Sequence, residues 1–230
     1  MRWIDSLRYL TLVTLLAGTA LLASATAAED KNEEGFTDLF NGKDFTGWKM
    51  FLDPKAKDAD PAKTWTVKDG TIICTGRPNG YFYTDKSYQD YVLDYDWRYR
   101  RPEGLTKDET FKGNSGCLVH IHHPDQPAVG GVWPQCIEVQ GMNLNHGQII
   151  YLKTKGDKPH FDREAKNKAT KPVGEWNTTQ ITCKADGSIT AKINGTPVSS
   201  GRSDLTEGMI GFQSEGAEIH FRNIKFKQIK

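Results

Sequence analysis

The sequence predicts an all-β protein, folded as a β-sandwich or jelly roll. Short runs of β-branched and aromatic residues recur along most of the chain, and turn-forming residues separate them. After the first 28 residues, no segment sustains apolar residues at the i, i+3, i+4, i+7 spacing of an amphipathic helix. Many short strands joined by turns must share one hydrophobic core, and two packed sheets provide it.

The predicted strands begin near residue 65 and continue almost to the C-terminus. Residues 91–99 are the clearest case, because aromatic and aliphatic residues alternate there with polar ones. The full set of predicted strands comprises residues 65–67, 71–74, 81–83, 91–99, 116–122, 136–140, 148–152, 177–185, 188–193, 209–213 and 219–229.

Three turn signals predict β-hairpins between neighbouring strands. Asp186-Gly187 separates two strongly alternating runs and gives the clearest hairpin of the chain. Lys68-Asp69-Gly70 and Asn194-Gly195 predict two more. Asp-Gly and Asn-Gly favour tight turns because both residue types accept positive φ at low cost.

The N-terminus has the pattern of a signal peptide. Arg2 and Arg8 supply positive charge, residues 9–23 are apolar, and Ala25-Thr26-Ala27 fits an A-x-A cleavage site. A transmembrane helix needs about 20 apolar residues. We therefore expect residues 1–28 to be removed and the protein to be exported, to the periplasm or beyond the cell; an uncleaved amphipathic anchor is the alternative.

The remaining chain predicts a linker over residues 29–35 and one domain over residues 36–230. A β-sandwich of this size is common as a single domain. Thirty basic and 29 acidic residues give a formal net charge of +1. This balance favours neither a nucleic acid nor an anionic membrane surface as partner, and the sequence leaves the oligomeric state open.

Four cysteines are widely spaced, at Cys74, Cys117, Cys136 and Cys183. No C-x-x-C pair occurs, so a zinc ribbon or a redox motif is not indicated. An oxidising compartment permits disulfides, and buried free thiols are the alternative. Strand alternation predicts Cys117 and Cys136 on opposite faces, a geometry that disfavours a bond between them.

The predicted strand 136–140 combines an apolar face with a polar one. Side chains at i and i+2 of a strand share a face. Glu138 and Gln140 therefore point together, opposite to Ile137 and Val139. Such a pair marks either a polar binding site on a sheet or the ordinary solvent side of a half-buried strand.

The predicted strand 116–122 alternates in the same way. Its two predicted faces comprise Cys117, Val119 and Ile121 on one side and Leu118, His120 and His122 on the other. We expect His120, Glu138 and Gln140 to project into one concave pocket. The polar segment Lys153–Pro172 lacks a strand pattern and is long for a passive connection, so we expect it to border that pocket.

Seven short motifs, in order, resemble those of the 3-keto-disaccharide hydrolase domain family. They are Leu39-Phe40-Asn41-Gly42-Lys43 with Gly47-Trp48, Trp65-Thr66-Val67-Lys68-Asp69-Gly70, Asn114-Ser115-Gly116, Glu138-Val139-Gln140, Glu175-Trp176-Asn177, Ile210-Gly211-Phe212-Gln213 and Phe221-Arg222-Asn223-Ile224. The resemblance covers nearly all of the predicted domain. It implies a jelly roll of the concanavalin A-like lectin/glucanase type.

Two positions depart from the family pattern. His120 and His122 occupy a stretch in which family members often carry arginine. Gln213-Ser214-Glu215-Gly216 stands where members often carry histidine after the glutamine. The paired carboxylates of a glucanase are also missing from the strand that holds Glu138, which argues against ordinary glycoside hydrolysis.

The resemblance implies cleavage of 3-keto glycosides by an exported hydrolase or lyase. A ketone at C3 acidifies the C2 proton; a base removes it, the enolate expels the C1 substituent, and water adds back. We assign Glu138 as the base and His120 as enolate stabiliser, acid or metal ligand. The predicted substrate-binding residues are Gln140, His122, Trp133 and His146.

No cofactor is assigned, although a divalent metal held by His120, His122, Glu138 and His146 is an alternative. No tight spacing motif supports that set. The competing function is a non-catalytic, lectin-like carbohydrate-binding module, since the same fold and site would serve it. A structural or adhesion domain is the third class, and it predicts no polar pocket around Glu138.

Overall fold

The computed structural model of the chain describes residues 35–229. The predicted signal peptide lies outside the described residues. Within them the prediction of an all-β fold is confirmed, and helix is confined to α1 (Pro61–Thr64), α2 (Arg163–Ala169) and a 3₁₀ turn at Asp108–Thr110. No helix of the described part is long and apolar enough to cross a membrane.

The described residues form fifteen strands. In chain order they are β1 (Thr37–Asp38), β2 (Trp48–Leu52), β3 (Trp65–Lys68), β4 (Thr71–Cys74), β5 (Gly80–Thr84), β6 (Tyr91–Tyr99), β7 (Gly116–His122), β8 (Gln135–Gln140), β9 (Ile149–Leu152), β10 (His160–Phe161), β11 (Asn177–Cys183), β12 (Ser188–Ile193), β13 (Thr196–Arg202), β14 (Met209–Ser214) and β15 (Ile219–Gln228).

Two antiparallel sheets make the sandwich. The first sheet has the order β10-β13-β12-β11-β6-β15-β4-β3, with β1 also paired to β15. The second sheet has the order β2-β5-β14-β7-β8-β9. Strands distant in sequence are neighbours in both, so the site described below combines residues from well-separated segments.

The core lies between the two sheets. Alternate residues of β6 are buried from Tyr91 to Tyr99, as the alternation predicts. Tyr95 meets Phe212 of the second sheet edge to face, with ring centroids 5.0 Å apart. Burying side chains of this size stabilises the fold by about 1.5–3 kcal/mol each.

All three predicted hairpins are confirmed. β3 pairs with β4 across Asp69-Gly70, where both residues have positive φ. Asn194-Gly195 joins β12 to β13 with the same backbone geometry. At the β11–β12 turn, the Asp186 carboxylate accepts a hydrogen bond from the Ser188 backbone N–H.

The segment Lys153–Pro172 is not a structureless loop, and that part of the prediction is wrong. It contains β10, which pairs with the edge strand β13, and α2, which packs on β13. Asp162 caps α2 by accepting from the Ala165 N–H. The segment therefore belongs to the edge of the first sheet. Its polar composition gave no sequence signal for β10 or α2.

A β-bulge interrupts β7 and breaks the predicted alternation. The pairing with β8 shifts between Val119 and His122, and His120 has a φ of +52°. Cys117 and Val119 face the inter-sheet core, as predicted. Beyond the bulge the faces exchange, so Ile121 joins a separate apolar cluster on the outer face of the second sheet.

All four cysteines are buried and free. Cys117 belongs to the inter-sheet core, whereas Cys136 belongs to the outer apolar cluster. The predicted separation of these two residues is confirmed. Of the two alternatives left by the sequence, the structure has the free thiols.

Candidate functional site

The candidate site lies on the outer face of the second sheet, the face turned away from the first sheet. Ile137 and Val139 of β8 belong to the inter-sheet core. Glu138 and Gln140 therefore point outward, as predicted from strand parity. Across the β7–β8 pairing, Glu138 stands opposite Leu118, and Gln140 stands opposite Gly116.

Gly116 makes room for two polar side chains. A Cβ at this position would lie 2.4 Å from the Gln213 Oε1 and 2.9 Å from the Glu138 Oε1. Both oxygens thus converge over the glycine from the strands on either side of it, β14 and β8. Any larger residue at position 116 would displace one or both of them.

Gln213 and Glu215 complete the polar face. Gln213 is a residue of β14 that is only 1% exposed, and it pairs with Tyr81 of β5. Glu215 follows just after β14 and forms a β-bridge with Asn114. Neither residue was assigned to the site from sequence, although Gln213 and Glu215 have the same i, i+2 spacing as Glu138 and Gln140.

Burial perturbs both carboxyl groups. It raises the pKa of Glu138 from 4.5 to about 8, and the negative charge of Glu215 adds to the effect. Burial also raises the pKa of Glu215, to about 7, against a hydrogen bond from the Asn114 side chain that lowers it. Paired carboxyl groups shifted in this way are typical of acid–base sites.

Three buried oxygens of the site have no hydrogen-bond partner among the described residues. They are the Asn114 Oδ1, the Glu138 Oε1 and the Gln213 Oε1. Buried polar atoms are nearly always satisfied, and each exception calls for an explanation. Three acceptors on one face fit a ligand that presents several hydroxyl donors.

Gln140 supplies a donor beside these acceptors. Its Oε1 accepts from the Met142 backbone N–H at 2.8 Å, which fixes the side-chain amide. No hydrogen bond to another described residue uses its Nε2 group. The site therefore combines two carboxyl groups, unsatisfied amide oxygens and one oriented amide donor.

Trp133 lies on the same outer face, at the edge of the apolar cluster. It packs against that cluster half-buried, with its ring 6.4 Å from that of Tyr81. The Tyr81 hydroxyl donates to the Pro124 carbonyl, which holds the loop between β7 and β8 over the sheet. Trp133 thus lies on the same face of the sheet as Glu138, and its role in substrate binding stays a prediction.

Comparison with protein families decides the relationship. A sequence model of the 3-keto-α-glucoside-1,2-lyase-like domain matches residues 35–227. The chain belongs to this family. It is the 3-keto-disaccharide hydrolase domain family that the seven motifs indicate, and the match includes fourteen strands whole and β15 up to Lys227.

Solved structures share the fold. A candidate glycosyl hydrolase from Parabacteroides distasonis ATCC 8503 is 24% identical, with a TM-score of 0.58, covering 88% of this chain and 98% of its own. The carbohydrate-binding module CBM66 from Bacillus subtilis is 11% identical, with a TM-score of 0.51, covering 79% and 96%. A comparison with curated protein sequences finds no match.

A protein of unknown function with a galectin-like fold, also from Bacillus subtilis, is similar as well. It is 14% identical, with a TM-score of 0.53, and the match covers 84% of this chain and 94% of that one. At these identities the similarities establish the fold alone. They agree with the jelly roll expected for a member of the 3-keto-α-glucoside-1,2-lyase-like family.

His120 does not join this site, and the prediction that places it beside Glu138 is wrong. The bulge in β7 turns the ring inward, where its Nδ1–H donates to the Leu205 carbonyl at 2.9 Å. Its edge meets Tyr91 of the inter-sheet core. Burial lowers the pKa of His120 to about 4, so the ring is neutral. The predicted grouping of His120 with Glu138 and Gln140 therefore fails.

His146 is also a core residue rather than a substrate-binding one. Its ring stacks on Trp97 at 3.7 Å, and its Nδ1 donates to the Gly141 carbonyl. The Nε2 lies 3.2 Å from the Thr179 hydroxyl. Burial lowers the pKa of His146 to about 3. Both ring nitrogens are satisfied inside the sandwich.

His122 lies at the end of β7, away from the polar face. Its Nε2 donates to the Glu207 carbonyl at 3.0 Å, and its Cα partner on β8 is Gln135, three residues before Glu138. Among the described residues, no hydrogen bond joins His122 to Glu138, Gln140 or Gln213. Its role in substrate binding is not supported by its position.

The alternative metal set does not assemble. His120 and His146 are inside the sandwich, whereas Glu138 is on the outer face. Among residues 35–229, no cluster of three or more His, Cys, Asp or Glu side chains is arranged to hold a metal ion.

The segment Lys153–Pro172 contacts the loop after β8 through Asn143 and Asn145, not through Glu138 or Gln140.

Proposed function

We propose that this protein is an exported carbohydrate-active enzyme that cleaves 3-keto glycosides or disaccharides by C2 proton abstraction, elimination and hydration. The observation that carries the proposal is a pair of carboxyl groups with raised pKa values, the buried Glu138 and the partly buried Glu215, in a member of this family. Export rests on the signal-peptide pattern of residues 1–28 alone.

The reaction needs one base and one acid. A ketone at C3 makes the C2 hydrogen acidic, and a carboxylate removes it to give an enolate across C2 and C3. The enolate electrons then form the C1–C2 double bond as the C1–O bond breaks, and the departing oxygen takes a proton. Addition of water to C1, with protonation at C2, gives the free 3-keto sugar.

The remaining polar groups have roles in binding and stabilisation. The free amide nitrogen of Gln140 is suited to donate to the enolate oxygen as negative charge develops there. The unsatisfied oxygens of Asn114 and Gln213 are suited to accept from sugar hydroxyls. Trp133 offers an aromatic ring at the apolar side of the same face.

Purified protein tests the proposal directly. A 3-keto disaccharide should be converted to its two sugars, with and without added divalent metal as separate arms, whereas the matching disaccharide with a hydroxyl at C3 should remain intact. The unoxidised sugar is the control for ordinary hydrolysis. If the 3-keto disaccharide is unchanged in both arms, the proposed reaction is wrong.

A carbohydrate-binding module is the competing function, because the three unpartnered acceptors would also serve binding alone. Glu138→Gln separates the two. A binding module should tolerate this near-isosteric change with a modest loss of affinity. An enzyme should keep its affinity and lose about 100-fold or more in rate. Calorimetry and product analysis on the same preparation give both numbers.

A further inference from the structure

We infer that Glu138 carries the proton and acts as the acid of the pair, and that Glu215 is the base that removes the C2 proton. This reverses the sequence-based assignment, which gave the base role to Glu138. The inference rests on the proposed function and divides its two steps between two named groups.

The surroundings of Glu138 suit a neutral carboxyl group. Glu138 is 6% exposed, and its Oε1 is buried without a hydrogen-bond partner among the described residues. A second unpartnered acceptor, the Gln213 Oε1, converges on Gly116 from the other side. A carboxylate there would face an amide oxygen with no donor between them. A protonated carboxyl group carries no charge that burial would penalise, and it supplies a hydrogen-bond donor on a face that holds unsatisfied acceptors.

The surroundings of Glu215 suit an ionised carboxylate. Glu215 is only partly buried and lies at the end of β14. The Asn114 side chain hydrogen-bonds to its carboxylate and favours the charged form. The β-bridge between Asn114 and Glu215 keeps donor and acceptor together. Greater contact with water lowers the cost of the charge further.

The electrostatics agree with this division. Burial and the charge of Glu215 both raise the pKa of Glu138, whereas the hydrogen bond from Asn114 opposes the effect of burial on the pKa of Glu215, so Glu215 loses its proton more readily. The resulting negative charge on Glu215 helps to keep Glu138 protonated. Sites of two coupled carboxyl groups commonly hold one proton in this manner.

Buried thiol and phenol groups near the pair are neutral. Cys136 lies beside Glu138 on β8, and burial raises its pKa well above the usual range. Tyr99 of β6 interacts with Glu215, and burial raises its pKa likewise. Tyr81 and Tyr83 of β5 also have raised pKa values. Near neutral pH, Glu138 and Glu215 are therefore the groups that exchange a proton.

The proton balance follows. The Glu215 carboxylate takes the C2 proton and becomes a carboxylic acid. As the C1–O bond breaks, Glu138 gives its proton to the departing oxygen and becomes a carboxylate. Hydration reverses both transfers: Glu138 removes a proton from the water that attacks C1, and Glu215 returns its proton to C2. The pair regains its starting state after one turnover.

Two probes separate the roles. In D₂O, the 3-keto derivative of 1,5-anhydroglucitol has no leaving group, so deuterium incorporation at C2 needs the base alone. We expect Glu215→Gln to lose about 100-fold or more in exchange and Glu138→Gln to stay within about tenfold of the wild type. The exposed Glu164→Gln on α2 is the matched control.

Cleavage measures the acid. Glu138→Gln should lose about 100-fold or more on a 3-keto disaccharide and less than about tenfold on a 3-keto nitrophenyl glycoside, whose leaving group needs little protonation. As the pH is raised, the protonated-carboxyl infrared band should also disappear in two steps, and Glu138→Gln should lack the more alkaline of them. This readout does not depend on turnover.

The outcomes are distinct. If Glu138→Gln loses exchange while Glu215→Gln retains it, the division is overturned although the proposed function stands. If the more alkaline step survives in Glu138→Gln and is missing from Glu215→Gln, Glu215 is the group that holds its proton longer, and the inference is again overturned. If the wild type neither exchanges nor cleaves, the proposed function fails and takes this inference with it.

Discussion

Gly116 is the residue on which the geometry of the polar face depends. Its missing side chain lets Glu138 and Gln213 lean over the sheet from both sides. Both neighbouring atoms are at the far ends of flexible side chains, so these side chains could shift to make room for a methyl group at position 116. The fold would survive such a change, but the arrangement of acceptors would not.

We expect Gly116→Ala to fold normally and to weaken sugar binding by about tenfold or more, which corresponds to about 1.4 kcal/mol. Gly201→Ala is the matched control, since Gly201 lies on β13 of the first sheet and its Cβ would lie 2.6 Å from the Tyr151 hydroxyl. Calorimetric titration with a 3-keto sugar checks both variants. Wild-type affinity in a folded Gly116→Ala protein would contradict the assigned site.

Glu138 also affects stability, because burial raises its pKa from 4.5 to about 8. The native protein therefore binds a proton that the unfolded chain releases between those pH values. The free energy of unfolding falls with rising pH over this window, by at most about 1.4 kcal/mol per pH unit. Function would then be maintained at the expense of stability.

Glu138→Gln removes this dependence. We expect the variant to be more stable than the wild type at pH 8 and nearly equal to it at pH 4, as measured by urea unfolding. Glu164→Gln, on the exposed face of α2, should follow the wild type at both pH values. A Glu138→Gln protein that is no more stable at pH 8 would show that the carboxyl group is ionised without penalty.

At the scale of the element, the bulge in β7 decides which residues reach the site. Gly208 makes the bulge possible, because a Cβ there would lie 2.5 Å from the His120 carbonyl carbon. With His120 turned inward, the outer face of β7 presents Gly116, Leu118 and Ile121. A histidine that the local pattern assigns to a pocket thereby becomes part of the core.

His120→Gln tests that placement. The change disturbs the hydrogen bond to Leu205 and the contact with Tyr91, so we expect it to cost about 1–3 kcal/mol of stability. The rate constant of the folded fraction should stay within about threefold of the wild type. The exposed His160→Gln serves as control. A stable His120→Gln protein with a rate reduced 100-fold would return His120 to the site.

For the whole molecule, buried histidines and buried carboxyl groups give opposite pH dependences. His120 and His146 have pKa values lowered from 6.5 to about 4 and about 3. Their contribution to the free energy of unfolding is present above pH 6.5 and is lost as the pH falls, because the unfolded chain then binds protons that the native state does not bind. Glu138 and Glu215 contribute below pH 4.5 and lose their contribution as the pH rises through their raised pKa values.

Between pH 4.5 and 6.5 the two effects oppose each other. We therefore expect the unfolding free energy to be nearly flat in that interval, to fall above it until about pH 8, and to fall below it towards pH 3. Urea titrations at half-unit steps measure the curve. Glu138→Gln should flatten the alkaline side alone. A wild-type maximum near pH 8 would contradict the burial of these carboxyl groups.

Much of this architecture is fixed by local sequence. Alternation over residues 91–99 predicts β6 because the side-chain period of a strand is a property of the chain itself. Asp69-Gly70 and Asn194-Gly195 predict their hairpins for a similar reason, since both residues tolerate positive φ. The same parity placed Glu138 and Gln140 on one face, where the structure has them.

Tertiary structure alone decided the rest. His120 and Glu138 were predicted to share a face, but the bulge that separates them depends on Gly208, which lies 88 residues further along the chain. Glu215 reaches the site because β14 inserts between β5 and β7. Residues 153–172 form β10 and α2 against β13, where edge pairing overrides a weak local pattern. A sequence specifies the direction of each side chain along a strand, but register shifts and strand order arise from contacts between segments far apart in the chain.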